Sequence, residues 1–357
     1  MKKYLPISLA GVSILFAATA LFNRNSSAEY SPRVSNKQGK SEPYSMAWAK
    51  VNQLTGEVNP QDRNSAWQEF KASPKGASRG ADLNLTFENK GPDNVGGRTR
   101  AILEVYGDPE TMLAGSVSGG LFISYDGGGN WEPHNQFQNL DESSSMISTI
   151  HQTILDDGNG TLTGGRIYIG TGCSFDDPWP GFGVFYSDDG GLTFKHLEAT
   201  TPDNRNSTGG PWIYVNRITS DAAGIVYAAT NFGLMRSNDK GVTWENVIFL
   251  GNTTIPNTNE FADVIAQSTG RVYAAQSSGG LFMSPTGLAG TFNIQNANGL
   301  PSSGIGRVVL SYSEQNEDHI YALYNTGSDG GCLDGVYETT NGGKLWTKLI
   351  SQYGEFR

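Results

Sequence analysis

The stretch richest in groups that could do chemistry is Cys173 to Phe182, CSFDDPWPGF. Two carboxylates, Asp176 and Asp177, stand beside Trp179. An aromatic face next to carboxylates suits a sugar platform. An ordinary solvated loop shaped by Pro178 and Pro180 has the same composition. Cleaving a glycosidic bond asks for more, because two carboxyl groups must flank the bond and sequence neighbours do not usually do so. A second candidate is the turn SYDGGGNW, Ser124 to Trp131, which could grip a metal or act as a structural staple. A metal needs several converging oxygens, and this turn offers one carboxylate. His134, His151, His196 and His319 form no metal-ligand spacing. No phosphate-binding loop, nucleophile elbow or dinucleotide fingerprint occurs. Neither a metal nor a cofactor is expected.

The turn recurs, and the recurrence names the elements that carry it. Ser124, Asp126, Gly128 and Trp131 return as Ser187, Asp189, Gly191 and Phe194. They return again as Ser237, Asp239, Gly241 and Trp244, and in weaker form as Thr339, Asn341, Gly343 and Trp346. The last gap is about twice the others, which predicts a decayed copy between the third and the last. Ser284 to Phe292, SPTGLAGTF, lies there with the serine and the aromatic but without the acid. Before each turn runs a Gly-apolar strand, and before that two further β-branched or aromatic strands. Four short strands repeated roughly every fifty residues predict a β-propeller, because one such sheet cannot bury both faces alone. The expected class is therefore all-β. Five four-stranded blades are visible, at about 97–136, 145–198, 213–250, 260–297 and 304–351. Within each turn the Asp or Asn and the Ser or Thr hydroxyl can accept backbone N–H groups that have no ladder partner. Glycine admits the positive φ, and the terminal aromatic pins the fourth strand.

Composition agrees and narrows the function. The chain has 357 residues, of which 46 are glycine, far above the average share and without a collagen period. A formal net charge of −10 argues against nucleic acid or anionic membrane as a partner. Met1-Lys2-Lys3, the apolar run Leu5 to Phe22 and the small-x-small site Ser26-Ser27-Ala28 read as a signal peptide over 1–28, with Ala18-Thr19-Ala20 as a second site. An uncleaved anchor is the alternative, since the run is almost long enough to span. Either reading exports the chain to the cell surface or beyond. Residues 29–82 form a leader with short helices, and 83–357 the propeller. Two cysteines, Cys173 and Cys332, are too few for a disulfide scaffold; whether they pair stays open.

The pattern S-x-D-x-G-x-x-W resembles the Asp-box, or BNR repeat, of sialidases, sortilin-type (VPS10) propellers, certain endoglucanases and photosystem-assembly propellers. GPDNVGGRTRAI (Gly91 to Ile102), followed by LAGSVSGGLFISYDGGGNW, is similar to the opening of secreted bacterial sortilin-like propeller proteins, as is the leader LTGEVNPQDRNSAW (Leu54 to Trp67). The resemblance covers about Trp48 to the end. It implies boxes at the blade periphery, and for many members it implies type IX secretion cargo with a C-terminal sorting domain, which this sequence does not show. Leu83 to Glu88 reads as a lone strand, and five blades are fewer than most related propellers carry, so a fragment of a longer protein with an incomplete ring is expected, an unusual closure of the ring being the alternative. A sialidase resemblance would ask for three arginines near the inner strands, able to hold a carboxylate bidentately; Arg98, Arg217 and Arg307 occupy such places. No tyrosine nucleophile with a glutamate partner can be placed, and Tyr214 and Tyr312 have no support from spacing. The sequence thus points to a binding module for protein, peptide or glycan. The alternatives are a glycosyl hydrolase-like enzyme, of sialidase or endoglucanase kind, and a structural module of a larger surface protein. The oligomeric state is open.

Overall fold

A computed structural model describes residues 98–140, 146–156, 158–172, 174, 180–202, 210–248, 260–295, 298–326 and 333–351, together with Ser65 and Glu69. The signal segment 1–28, most of the leader, the strand expected at Leu83 to Glu88, both cysteines and the residues Asp176, Asp177 and Trp179 lie outside the described residues.

The chain forms five four-stranded antiparallel sheets. Blade 1 is β1 (Thr99–Val105), β2 (Asp108–Ser116), β3 (Leu121–Ser124) and β4 (Glu132–Pro133). Blade 2 is β5 (Ile147–Asp156), β6 (Leu162–Thr171), β7 (Val184–Ser187) and β8 (Lys195–His196). Blade 3 is β9 (Val215–Ser220), β10 (Val226–Thr230), β11 (Gly233–Ser237) and β12 (Glu245–Asn246). Blade 4 is β13 (Phe261–Ala266), β14 (Val272–Gln276), β15 (Gly280–Ser284) and β16 (Asn293–Ile294). Blade 5 is β17 (Ile305–Ser313), β18 (Asn316–Thr326), β19 (Leu333–Thr339) and β20 (Thr347–Ser351). The innermost strands β1, β5, β9, β13 and β17 lie beside one another in chain order, and among the described residues no comparable packing joins β17 to β1.

Burial explains why the blades cannot stand alone. In blades 3 and 4 every residue of β10 and β14 is buried, so both faces are covered by neighbouring sheets. Close approach demands small side chains on the second strand. A Cβ on Gly115 would stand 2.3 Å from Ile147 of the next blade, and one on Gly170 would stand 2.7 Å from Val215. Alanine serves at the matching positions Ala229 and Ala275.

The box turns close each blade with side-chain to backbone bonds. Ser124 Oγ donates to Asp126 Oδ1 at 2.8 Å and accepts from Gly128 N at 2.9 Å, while Asp126 Oδ1 accepts from Asn130 N at 2.8 Å. Boxes two and three repeat this pattern at Ser187, Asp189, Gly191 and Thr193, and at Ser237, Asp239, Gly241 and Thr243. In blade 5, Thr339 donates to Asn341 Oδ1 at 2.9 Å, and Asn341 Oδ1 accepts from Leu345 N at 3.0 Å. The box glycines hold φ near +90°: Gly128, Gly191 and Gly241 at 90° and Gly343 at 82°. Blade 4 has no acid, and the Thr291 hydroxyl takes its place, 2.5 Å from Ser284 Oγ, which still accepts from Gly287 N at 2.8 Å.

Removing one staple should leave the buried Gly241 N–H without its acceptor. Ser237→Ala is expected to destabilise the fold by about 2 kcal/mol. Urea unfolding checks this, and a midpoint equal to wild type would count against the staple.

Candidate functional site

Two places collect polar side chains from several blades. The first lies on the innermost strands. Ser148 Oγ donates to Gly170 O at 2.8 Å and also bonds Val215 O of the next blade. Ser174 Oγ reaches Asn216 Oδ1 at 2.9 Å and the Glu260 carboxylate, and Asn216 Nδ2 donates to Phe261 O at 2.8 Å. Asp263 on β13 accepts from Val264 N at 2.9 Å and from Leu310 N of blade 5 at 2.8 Å, and Arg217 Nε lies 3.6 Å from it. Burial raises the Asp263 pKa against the pull of Arg217. The bonds of Ser148 to Val215 O, of Asn216 to Phe261 O and of Asp263 to Leu310 N each join one blade to the next, so Asp263 is held by the fold.

The three sequence-selected arginines do not share a level. Arg98 is exposed just before β1, with its carbonyl accepting from Val117 N at 3.0 Å. Thr99 and Val215 open their inner strands at matching register, opposite Ser116 and Thr230. Arg98 precedes Thr99 by one position and Arg217 follows Val215 by two, which separates them by roughly 10 Å along the strand direction. Arg307 falls inside the register shift between Ile305 and Val308. Arg217 and Arg307 both act on Asp263. Tyr214 is half-buried, its N–H bonded to Asn231 Oδ1 at 3.3 Å. The Tyr312 hydroxyl donates to Ala266 O at 3.2 Å, and burial raises its pKa.

The second place is a cleft of about 640 Å³ where blades 1, 2 and 3 meet on the side of the box turns. Tyr106 and Leu192, both exposed, line it with Arg166, Asp188 and Lys240. Arg166 fixes the geometry. Its Nε and Nη2 donate to Asp188 at 2.8 Å each, its Nη1 donates to Lys240 O of blade 3 at 2.9 Å, and its guanidinium stacks 3.9 Å from the Tyr186 ring. A bidentate and stacked guanidinium is a pre-organised donor. Sequence reasoning passed over this cleft, because Asp188, Asp189 and Leu192 of the second box and Lys240 of the third read as parts of a structural turn, and Arg166 on β6 carries no motif of its own.

The cleft's carboxylates are occupied. Asp108 accepts from Thr111 Oγ1 at 2.8 Å, and Asp188 is paired with Arg166. Burial pulls the Asp189 carboxyl upward, but bonds from Thr193 and Ser187 outweigh it and hold the pKa below its usual value.

The titrating groups set an acid limit in two windows. Burial lowers His151 to about 4, helped by Arg217, and lowers His196 to about 4. A base depressed by folding contributes stability that is present above its unfolded pKa, near 6.5, and is lost as pH falls toward 4. The Asn130 N–H and side chain, with Ser124, hold Asp126 at about 2, and Thr243 bonds lower Asp239. Those contributions persist above about 4 and are lost below it. Thermal melting should therefore fall first between pH 6.5 and 4 and again below 4. His196→Gln should flatten only the first step, and an unchanged profile would contradict the assignment.

No protein-family model and no curated protein matches the chain. Solved structures do. An ancestral GH74 enzyme is 18% identical at a TM-score of 0.52, covering 72% of this chain and 33% of that one. The GH74 enzyme of Niastella koreensis is 20% identical at a TM-score of 0.49, covering 71% and 37%. YCF48 from Cyanidioschyzon merolae is 15% identical at a TM-score of 0.40, covering 72% and 87%. The chain spans about a third of the length of the GH74 enzymes it matches. At such identity the likeness to the ancestral enzyme carries the fold alone: this chain is an all-β protein of β-propeller type. No helix among the described residues is long and apolar enough to cross a membrane.

Proposed function

We propose that the chain is an exported binding module that receives a segment of a partner polypeptide in the cleft between blades 1, 2 and 3. The observation that supports this most directly is the lining. Exposed Tyr106 and Leu192 offer apolar surface beside a guanidinium already locked in place by Asp188, Lys240 O and the Tyr186 ring. Ligand sites combine such surface with a few fixed polar groups. The cleft's carboxylates serve the fold, so recognition rather than acid–base chemistry suits them. An extended segment with an apolar side chain followed by a carboxylate fits, its carboxylate meeting Lys240 at the cleft's edge. Export rests on the basic and apolar opening of the sequence. The sortilin-like and type IX cargo readings rest on the sequence motifs quoted above, and the reading as a structural module predicts no ligand.

Hydrolysis of a glycan is the second reading, favoured by the fold shared with an ancestral GH74 enzyme. Its flanking carboxyl pair is not placed: Asp176 and Asp177 are sequence neighbours and, with Trp179, lie outside the described residues. Panning the protein against a random peptide library separates the two. The reading predicts selected peptides with an apolar–acidic pattern whose binding weakens at least tenfold in Arg166→Ala. A library that returns no such peptide, or binding indifferent to Arg166→Ala and to Tyr106→Ala, would overturn it.

A further inference from the structure

We propose that two copies of the chain join head to tail, with the fifth blade of each seated on the first blade of the other. The argument rests on what covers equivalent positions inside the arc. Each internal interface packs the forward face of one sheet on the rear face of the next. Tyr168, Tyr227 and Tyr273 stand at one register of the second strand and are fully buried there. The box of the following blade takes part in that cover: a Cβ on Gly287 would meet the Tyr227 hydroxyl, and the nearest neighbour of one on Gly343 is Tyr273. Tyr321 holds this register in blade 5 and is 37% exposed. Beside it on the same face lie Val309 at 40% and Leu323 at 42%.

The first blade shows the converse. Ile102, opposite Ala114, is 62% exposed, whereas the matching Ile218, Val264 and Leu310 are buried at 1%, 0% and 4%. Trp131 of the first box is 40% exposed, while Phe194 and Trp346 at the same box position are buried. Blade 5 thus has a forward face with nothing in front of it, and blade 1 a rear face with nothing behind it, among the described residues. Apolar side chains exposed side by side on one sheet face, where their counterparts inside the arc are buried, are candidates for an interaction surface.

Side-chain size selects the occupant. In the internal interfaces a small residue on the second strand (Gly115, Gly170, Ala229 or Ala275) faces a large one at the start of the next inner strand. Ile147 and Val215 face the two glycines, and Phe261 and Ile305 share core clusters with the two alanines. At the free faces this order reverses. The small position is filled by Leu323, opposite Val336, and the large position by Thr99, opposite Ser116. A leucine that would collide with an internal-type blade fits one that begins with threonine, and the first blade of a second copy supplies it. The contact is heterologous, so it closes into a ring of two or continues into a longer chain.

Sedimentation of the full chain over two decades of concentration tests the proposal. Wild type should reach the mass of two copies or of longer head-to-tail chains. Leu323→Asp and Ile102→Asp should each be monomeric, since every contact needs both faces. Both positions are exposed in the monomer, so both variants should keep the wild-type circular dichroism spectrum and melting cooperativity. Mixing the two variants should restore a dimer, because each retains the face that the other lacks. A wild type that stays monomeric throughout would overturn the proposal. So would an assembly abolished by only one variant, or one that the mixture fails to restore. Arg166→Ala should leave assembly unchanged, which keeps this test separate from that of the cleft.

Discussion

Gly183→Ala is expected to destabilise the protein by about 4 kcal/mol. Gly183 opens the strand leading to the second box with φ at +71°, where an L side chain is strained. Its Cβ would stand 2.1 Å from Thr200 O and 2.6 Å from Thr200 Oγ1. Thr200 is buried and cannot yield cheaply, because its hydroxyl donates to Leu197 O at 2.7 Å and accepts from Val184 N at 2.9 Å. The backbone strain contributes about 1–2 kcal/mol and the displaced anchor the rest. Gly190→Ala is the control. Its φ is +73°, but nothing lies within 4 Å of the added Cβ, so only the strain applies and about 1 kcal/mol is expected. Equal losses in urea unfolding for the two variants would show that the Thr200 contact is not tight.

Asp263→Ala is expected to cost about 2–4 kcal/mol, because two buried backbone N–H groups lose their acceptor. The variant would leave Leu310 N without its acceptor and Arg217 without its counter-charge. Arg217→Ala should cost less, about 1 kcal/mol, because Arg217 is largely exposed and 3.6 Å from the carboxylate. The double variant should therefore cost less than the sum of the two. Burial raises the folded pKa of Asp263, so its stabilising contribution is full below the unfolded value and declines as pH rises through the folded one. Asp263→Asn should accordingly gain on wild type as pH rises, read as the difference in melting temperature across the acid range. Additive losses, or an asparagine variant that tracks wild type at every pH, would remove Asp263 from its place between blades 4 and 5.

The fold was legible because the repeat carries its own chemistry. A hydroxyl, an acid, a glycine and an aromatic at fixed spacing read as a turn that satisfies its own backbone, and its recurrence counts sheets. Even the copy without an acid was visible through Ser284 and Phe292. The hydroxyl of Thr291 standing in for the carboxylate was not, since a threonine in a turn gives no separate signal. Registers were less legible. The shifts between Thr99 and Ala101 and between Ile305 and Val308 place Arg98, Arg217 and Arg307 at levels that strand counting cannot assign. The cleft was hidden for a further reason. Arg166 and Arg271 each stand two residues before a buried tyrosine of the second strand, Tyr168 and Tyr273, and that repeat was the one available clue. Arg166 spends its guanidinium on Asp188 and Lys240 O, while Arg271 pairs with Asp318 at 2.7 Å. One sequence position thus ties a blade to its neighbour in both cases, and in blade 2 it lines a cleft as well.

The measurement that tests the binding account most directly follows both partners of one mixture over time. A peptide selected by the protein, and separately a β-glucan oligosaccharide, would be incubated with it and recovered, with bound fraction and covalent integrity read by mass spectrometry. The account predicts that the peptide is retained and returned intact, that Arg166→Ala abolishes its retention, and that the oligosaccharide is neither retained nor cut. An oligosaccharide returned in two pieces, with no peptide held, would contradict it.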